Sequence, residues 1–269
     1  VPFLVRHNIA EANIVALANK ATLVSGAAEL ASVLKSHGWT VFCITTTYEQ
    51  YARRVTRRVG ISAPNVACTP FPLDKLHQAL GKDEIQLLEQ AEKDILSLSP
   101  TDDAKIKPRL DRLYGQELSA SNLGELIKQV KPVGGRRKVV ALKQFATTYA
   151  QPLSHCAVVG DSITDFRMLQ AVEQAGGLAI AFNANEYALP YATMSLASTH
   201  ISDLLPVLEV WEHGNRSEVQ KIVIEKEKTD GAGDRNNLHW LSARKSIDDV
   251  LKLHKRIRRL VREEAGKLG

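Results

Sequence analysis

The chain has little cysteine and no long apolar run, and each absence excludes a class of protein. The 269 residues include three cysteines, Cys43, Cys68 and Cys156, which is an odd number without the close spacing of a CxxC metal or redox motif. Cys43 and Cys156 lie inside apolar runs, so we expect buried thiols in a reducing, cytoplasmic compartment. No run reaches the roughly 18 apolar residues that cross a bilayer, so we expect no membrane segment.

Aspartate is missing from the first part of the chain. The first aspartate is Asp74, which follows no predicted strand. The chain begins with Val1 rather than methionine, and helical periodicity is already present at 14–20. We therefore expect that a further N-terminal piece precedes Val1.

The chain is moderately basic, and the basic excess is local. The formal net charge is +5, and 44% of the residues are hydrophobic, which is enough for one large domain or a core with an inserted module. Much of the excess lies at 252–262, with the sequence KLHKRIRRLVR. We interpret this run as the solvated face of a helix rather than a nucleic-acid surface, so no nucleic-acid partner is predicted.

Strand and helix patterns alternate along most of the chain, which predicts an α/β fold with a parallel sheet. Predicted strands lie at 40–44, 157–159 and 178–182. A further strand is indicated at 65–69, and from 71 to 132 strand signals disappear and charged helical periodicity takes over. The predicted divisions are an α/β core at 1–70 and 133–212, a helical insertion at 71–132 and a basic helical tail at 213–269.

Two aspartates follow the strand predicted at 157–159. Asp161 stands at the carboxyl end of that strand, and Asp165 lies one helical turn further on. Two carboxylates at the mouth of a parallel sheet suit Mg²⁺, which prefers hard oxygen ligands and keeps substrate phosphate in its shell. The alternative is a helix cap, in which Asp161 or Ser162 serves the helix that follows.

Three hydroxyls follow the strand predicted at 40–44. Thr45, Thr46 and Thr47 would reach the same sheet edge as Asp161, because ligands bind where parallel strands end together. Hydroxyls and backbone N–H groups at the start of the next helix can hold a phosphate. The same residues also suit simple N-capping and strand formation.

Lys138 precedes the acidic motif by the length of one helix, one turn and one strand, so its ammonium group can reach the same edge. A lysine there would neutralise phosphoryl charge. It could equally be a solvated residue at a helix start, and Arg136, Arg137 and Lys143 compete for the role. Asn183 follows the last predicted strand and could hydrogen-bond a site carboxylate or simply form a turn.

In this order, the motifs resemble those of the haloacid dehalogenase (HAD) superfamily of phosphohydrolases. The run GDSITD at 160–165 resembles the superfamily's last motif, and KVVAL at 138–142 resembles its lysine motif. Thr45 or Thr46 corresponds to its Ser/Thr motif, and both alternatives stay open. The segments ITTTYEQY and LAIAFNANEYAL resemble an archaeal and bacterial branch described as energy-converting hydrogenase subunit R-like. The resemblance extends over about residues 20–210.

The resemblance implies a HAD-like Rossmannoid parallel sheet with a helical cap insertion and a helical C-terminal tail. It also implies a Mg²⁺-dependent phosphatase that hydrolyses a small phosphorylated metabolite. The implied metal ligands are Asp161 and Asp165. The implied catalytic residues are Lys138 with Thr45 or Thr46, and the implied substrate contacts are Thr47, Ser162 and Asn183.

The chain departs from the superfamily at its first motif, DxDxT, whose first aspartate attacks phosphorus and forms an aspartyl-phosphate. No residue of this chain can be given that role, so we expect the nucleophile upstream of Val1. The chain as it stands would then be inactive, and the longer protein would be an enzyme. The alternative is a catalytically inactive HAD-like subunit that binds a protein partner. We also expect a gap of one strand width, ~10 Å instead of ~5 Å, between the strands that end at Thr45 and Asp161.

Overall fold

The computed structural model of the chain describes residues 1–229, 233–242, 244 and 246–266. Within them, helices alternate with strands that are mostly parallel, which confirms the predicted α/β class. None of the described helices combines the length and the apolar character needed to cross a membrane. The end of the predicted tail, 267–269, lies outside the described residues.

The strands form two hydrogen-bonded sheets. Their bounds are β1 (Cys43–Tyr48), β2 (Val66–Thr69), β3 (Ala157–Gly160), β4 (Leu178–Phe182), β5 (Met194–Ala197) and β6 (Asn237–Trp240). β1 pairs in parallel with β2, and β3, β4 and β5 are parallel neighbours in that order. β6 pairs antiparallel with β5 at the far edge. Every residue of β4 is buried, as expected of a parallel strand that is covered on both faces.

The helices surround these sheets and form a separate helical layer. Their bounds are α1 (Pro2–Arg6), α2 (Glu11–Lys20), α3 (Ala27–Ser36), α4 (Glu49–Val59), α5 (Leu73–Gln78), α6 (Lys82–Leu96), α7 (Asp103–Arg112), α8 (Asn122–Gln129), α9 (Arg136–Thr148), α10 (Phe166–Gln174), α11 (Leu205–His213), α12 (Arg216–Thr229) and α13 (Asp248–Gly266). A π-helical turn at Leu113–Glu117 extends α7.

A large cavity opens between β1 and β3, which belong to separate sheets. Its volume is about 1090 Å³, with Val41, Phe42 and Ile44 on the β1 side and Ala157 and Val159 on the β3 side. Val159 is 37% exposed although it lies inside a strand. In the part of the chain that the structure describes, β1 and β3 therefore do not pair with each other. This agrees with the prediction that the two strands are not hydrogen-bonded neighbours.

The helices α5 to α8 lie within the predicted insertion and form a unit with its own apolar core. The core side chains of this helical unit are Phe71, Leu73, Leu76, Leu88, Ala91, Leu113, Leu118 and Leu123. Val5 of α1 is buried in the same cluster, because α1 contacts α5 and α6. The first helix therefore packs with the helical unit, and not with the α/β core that was predicted for 1–70.

The tail at 213–269 was predicted to be helical. This prediction is wrong at Asn237–Trp240, which is a strand. This segment forms β6 because Leu238 and Trp240 are buried against the sheet. The Asn237 side-chain amide also donates to the carbonyl oxygen of Ala197 at 2.8 Å. A strand of four residues is too short to show a clear alternation, and it forms through its pairing with β5.

Candidate functional site

Lys138 lies in the first turn of α9, and its side chain is buried rather than solvated. Its ammonium group donates to Asp165 Oδ1 at 2.6 Å and to the carbonyl oxygen of Ile44 at 2.9 Å. The three basic residues that compete with it in the sequence are all exposed. Lys138 therefore ties β1 to the loop after β3.

Asp165 is the centre of the loop after β3. Its Oδ2 accepts from the N–H groups of Asp161 (3.2 Å) and Ser162 (3.1 Å) and from the Ser162 hydroxyl (3.0 Å). Burial alone would raise the pKa of Asp165, but the Lys138 ammonium and these donors outweigh burial and lower the pKa. Both carboxylate oxygens of Asp165, a predicted metal ligand, accept hydrogen bonds in this structure, and these contacts orient the loop.

Asp161 is the open carboxylate of this loop. Its side chain is 50% exposed, and Oδ2 lies 2.8 Å from Nη1 of Arg258 in α13. The same guanidinium group donates to the carbonyl oxygens of Asp161 (3.0 Å) and Asn183 (2.8 Å). Only 16% of the Arg258 side chain is exposed. The interpretation of 252–262 as a solvated face is therefore wrong for Arg258, because helical periodicity does not show which arginine reaches the sheet.

Asn183 turns away from the carboxylates. Its backbone is left-handed, with φ of 45°. Its buried side chain donates to the carbonyl oxygen of Ser198 (2.8 Å) and accepts from the Ser198 N–H (3.0 Å). The amide thus uses both ends to hold the turn after β4 against the end of β5. This geometry favours the turn alternative and does not support the predicted substrate contact.

The three threonines lie within β1 rather than after it, because the strand extends to Tyr48. The register of β1 against β2 is irregular between Ile44 and Tyr48, so regular side-chain alternation does not apply to the three threonines. The Thr46 hydroxyl donates to the carbonyl oxygen of Val133 at 3.0 Å. The Thr45 hydroxyl donates to that of Thr47 at 3.1 Å, and Thr47 is exposed. Thr46 is therefore an anchor for the segment before α9, and Thr45 with Thr47 stays open to a ligand.

A glycine turn brings the start of α9 to the same edge. The N–H of Gly135 donates to the carbonyl oxygen of Thr164 at 3.0 Å, and its φ of 53° suits glycine. The hydroxyls of Ser162 and Thr164 lie 3.1 Å apart. The amino end of a 13-residue helix therefore lies beside the loop after β3, where the helix dipole favours an anion.

A divalent cation fits at Asp161, but this chain does not enclose it. Among the described residues, no group of three or more His, Cys, Asp and Glu side chains could hold a metal ion. Asp161 presents one carboxylate oxygen, Oδ1, that has no hydrogen-bond partner within the described ranges. Mg²⁺ commonly binds through one or two carboxylates together with water and substrate oxygens. Asp161 therefore fits one ligand position of a Mg²⁺ site.

Comparisons with known proteins support the fold. No family model and no curated protein matches the chain. The structure is similar to that of gene product AF1437 from Archaeoglobus fulgidus, with a TM-score of 0.82 and 27% sequence identity. The match covers 100% of this chain and 80% of that chain. The description of that protein names no activity, so the similarity bears on the α/β architecture alone.

Proposed function

We propose that this chain carries most of a HAD-like, Rossmannoid phosphohydrolase that uses Mg²⁺ to hydrolyse a small phosphorylated metabolite. The contacts of Lys138 with Asp165 and with the carbonyl oxygen of Ile44 carry the proposal. An ammonium group has three N–H donors, and these contacts use two of them. The third is left for a phosphoryl oxygen at the sheet edge. Because a buried charge is costly, this placement supports a functional role for Lys138.

The phosphoryl group would bind between β1 and the start of α9. Lys138 would neutralise its charge, and the Thr47 hydroxyl, which accepts from that of Thr45, would donate to one of its oxygens. The positive end of the α9 dipole would add to the attraction for the phosphoryl group. Ser162 would keep the loop after β3 in place through its contacts with Asp165.

The nucleophile would come with a parallel strand that fills the cavity between β1 and β3. Such a strand would pair with both free edges and end between Ile44 and Asp161. An aspartate at its carboxyl end, upstream of Val1, would attack phosphorus and form an aspartyl-phosphate, with departure of the alcohol. The apolar lining of the cavity by Phe42, Ala157 and Val159 supports this occupant.

Asp161 would hold Mg²⁺ through its free oxygen, and Asp165 would fix Asp161 through the loop hydrogen bonds. When bound, Mg²⁺ would neutralise the phosphoryl oxygens and orient the group for in-line attack. Asp165 pairs with Lys138 in a buried ion pair, whereas Asp161 is half-exposed, lies beside Arg258 and keeps one carboxylate oxygen available.

The helical unit would act as a cap that selects the substrate. The chain enters this unit after β2 and leaves it at Val133, just before α9, and side chains near the carboxyl ends of β1 and β2 anchor both connections. At the start of the unit, Gln50 donates to the carbonyl oxygen of Phe71 at 2.8 Å. At its end, the N–H of Val133 donates to the Thr69 hydroxyl at 3.0 Å. Both anchors lie near the proposed phosphate site, which supports a cap over that edge.

Lys138 can be tested in a longer chain that contains the nucleophile strand. Mg²⁺-dependent hydrolysis of p-nitrophenyl phosphate is measured for Lys138→Met and for Lys143→Met, an exposed lysine of the same helix. We expect Lys138→Met to lower kcat/KM by more than ~100-fold, because a preorganised charge is lost. Lys143→Met should retain activity within about twofold. The opposite ranking of the two variants would contradict the proposal.

An inactive HAD-like subunit that binds a protein partner is the second candidate function. The contact between Arg258 and Asp161 favours it, because a guanidinium group already neutralises the one open carboxylate. The same assay separates the two candidates. A longer chain that folds but shows no Mg²⁺-dependent hydrolysis would favour the inactive subunit.

A further inference from the structure

Arg258 is a fixed positive charge at the candidate cation site, and the proposed reaction does not use it. We propose that Arg258 is a positioning residue that sets the affinity of Asp161 for divalent cations. Its guanidinium group holds one carboxylate oxygen and leaves the other for the cation. This inference rests on the proposed function to the extent that Asp161 is taken as the cation ligand.

The packing of α13 keeps Arg258 at this place. Val250, His254 and Ile257 are buried on one side of the helix. Nδ1 of His254 accepts a hydrogen bond from the N–H of Ala184, just after β4, at 2.8 Å. Arg258 follows His254 by one helical turn and so lies on the same face. The helix therefore delivers Arg258 to the ends of β3 and β4.

Backbone contacts hold the guanidinium group independently of the carboxylate. Nη1 donates to the carbonyl oxygens of Asp161 and Asn183 at 3.0 and 2.8 Å. Since Nη1 carries two hydrogens, both are directed at these carbonyls, and its 2.8 Å contact with Asp161 Oδ2 is mainly one of charge. Arg258 would therefore stay in place when a cation binds to Asp161.

Two consequences follow for a cation at Asp161. The carboxylate can offer it one oxygen only, because Oδ2 is held beside the guanidinium group. The cation would also lie within a few ångströms of a second positive charge, and the repulsion between them weakens binding. Repulsion outweighs the benefit of orientation, because the loop that carries Asp161 is already held by its N–H groups donating to Asp165 and gains little from further ordering.

The test measures binding of Mn²⁺, as the probe cation, to this chain and to five variants by titration calorimetry or electron paramagnetic resonance. Arg258→Gln removes the charge and keeps an NH₂ group for the two carbonyls, and Arg258→Met is a second neutral variant. Arg258→Lys keeps the charge. Arg262→Gln removes an exposed charge one turn further along α13. Asp161→Asn removes the proposed ligand.

We expect both neutral variants at 258 to bind Mn²⁺ at least tenfold more tightly, which corresponds to about 1.4 kcal/mol. Arg258→Lys and Arg262→Gln should remain within about threefold of the parent chain, and Asp161→Asn should lose the site. Unchanged or weaker binding in the neutral variants, with loss of binding in Asp161→Asn, would overturn the role of Arg258 and leave the proposed function standing. Parent-like binding in Asp161→Asn would instead remove the cation ligand on which both proposals depend.

Discussion

At the scale of single residues, Gly160 shows how tightly the loop after β3 is packed. A Cβ atom at this position would lie 2.6 Å from Cβ of Asp165 and 3.3 Å from Cδ1 of Leu169. The Asp165 side chain cannot move away without breaking its ion pair with Lys138. We expect Gly160→Ala to lower the free energy of unfolding by about 1–3 kcal/mol, measured by urea denaturation.

Gly115 provides the matched control for this substitution. A Cβ atom there would meet nothing within 4 Å, so Gly115→Ala should change the free energy of unfolding by less than about 0.5 kcal/mol. Equal stability of the Gly160 and Gly115 variants would show that Asp165 does not pack on the glycine as described.

His254 is expected to make the stability of the fold depend on pH. Burial, with a smaller contribution from nearby His239, lowers the pKa of His254 from 6.5 to about 3. Below pH 6.5 the unfolded chain binds a proton that the folded chain does not. The stability contributed by the neutral ring is therefore complete above that pH. It is lost as the pH falls toward about 3, by roughly 2–3 kcal/mol at pH 4.5.

The comparison that isolates this histidine is with His254→Asn, whose side-chain oxygen can still accept from the N–H of Ala184. Urea denaturation of both proteins at pH 7 and pH 4.5 gives the part of the change in the free energy of unfolding that is due to the imidazole ring. Between these two pH values, the free energy of unfolding of the asparagine variant should fall by about 2–3 kcal/mol less than that of the parent chain. Equal losses would mean that the histidine titrates near its ordinary pKa in the fold.

At the scale of elements, apolar patterns predicted β3 and β4, of which β4 is buried throughout. β3 and β4 lie at or close to their predicted positions, because continuous apolar runs such as Leu178–Phe182 indicate buried parallel strands. β5 (Met194–Ala197) and β6 were missed, since each has four residues and a polar side chain. Ser195 is fully buried in β5, which a hydrophobic pattern does not reveal.

The residues of the candidate site also differ in whether the sequence could predict them. Residues close together along the chain, such as Asp161 and Asp165, could be predicted from local spacing. Arg258 could not, because it meets Asp161 across 97 positions of the chain. That contact depends on the way α13 docks on the sheet, through the burial of Val250, His254 and Ile257.

At the scale of the whole molecule, the cavity between β1 and β3 is the feature that separates the two parts of the α/β core. Each of these strands has one edge without a strand partner in the described structure. Unpaired edges present rows of free N–H and C=O groups. The two edges are linked directly by Lys138, which contacts Ile44 on one side and Asp165 on the other.

If the cavity is the site of a strand, amide hydrogen exchange will show it. In this chain, the N–H groups of β3 that face the cavity should exchange faster than those of β4, which is paired on both sides. In the longer chain, a strand between β1 and β3 should slow amide exchange at β3 by more than ~100-fold. The amides of β3 would then exchange only when the core unfolds. The β5 and β6 pair, at the opposite edge, serves as the internal control and should change little. Equal protection of β3 in the two chains would mean that no strand occupies the cavity, and the nucleophile proposed for that strand would lose its support.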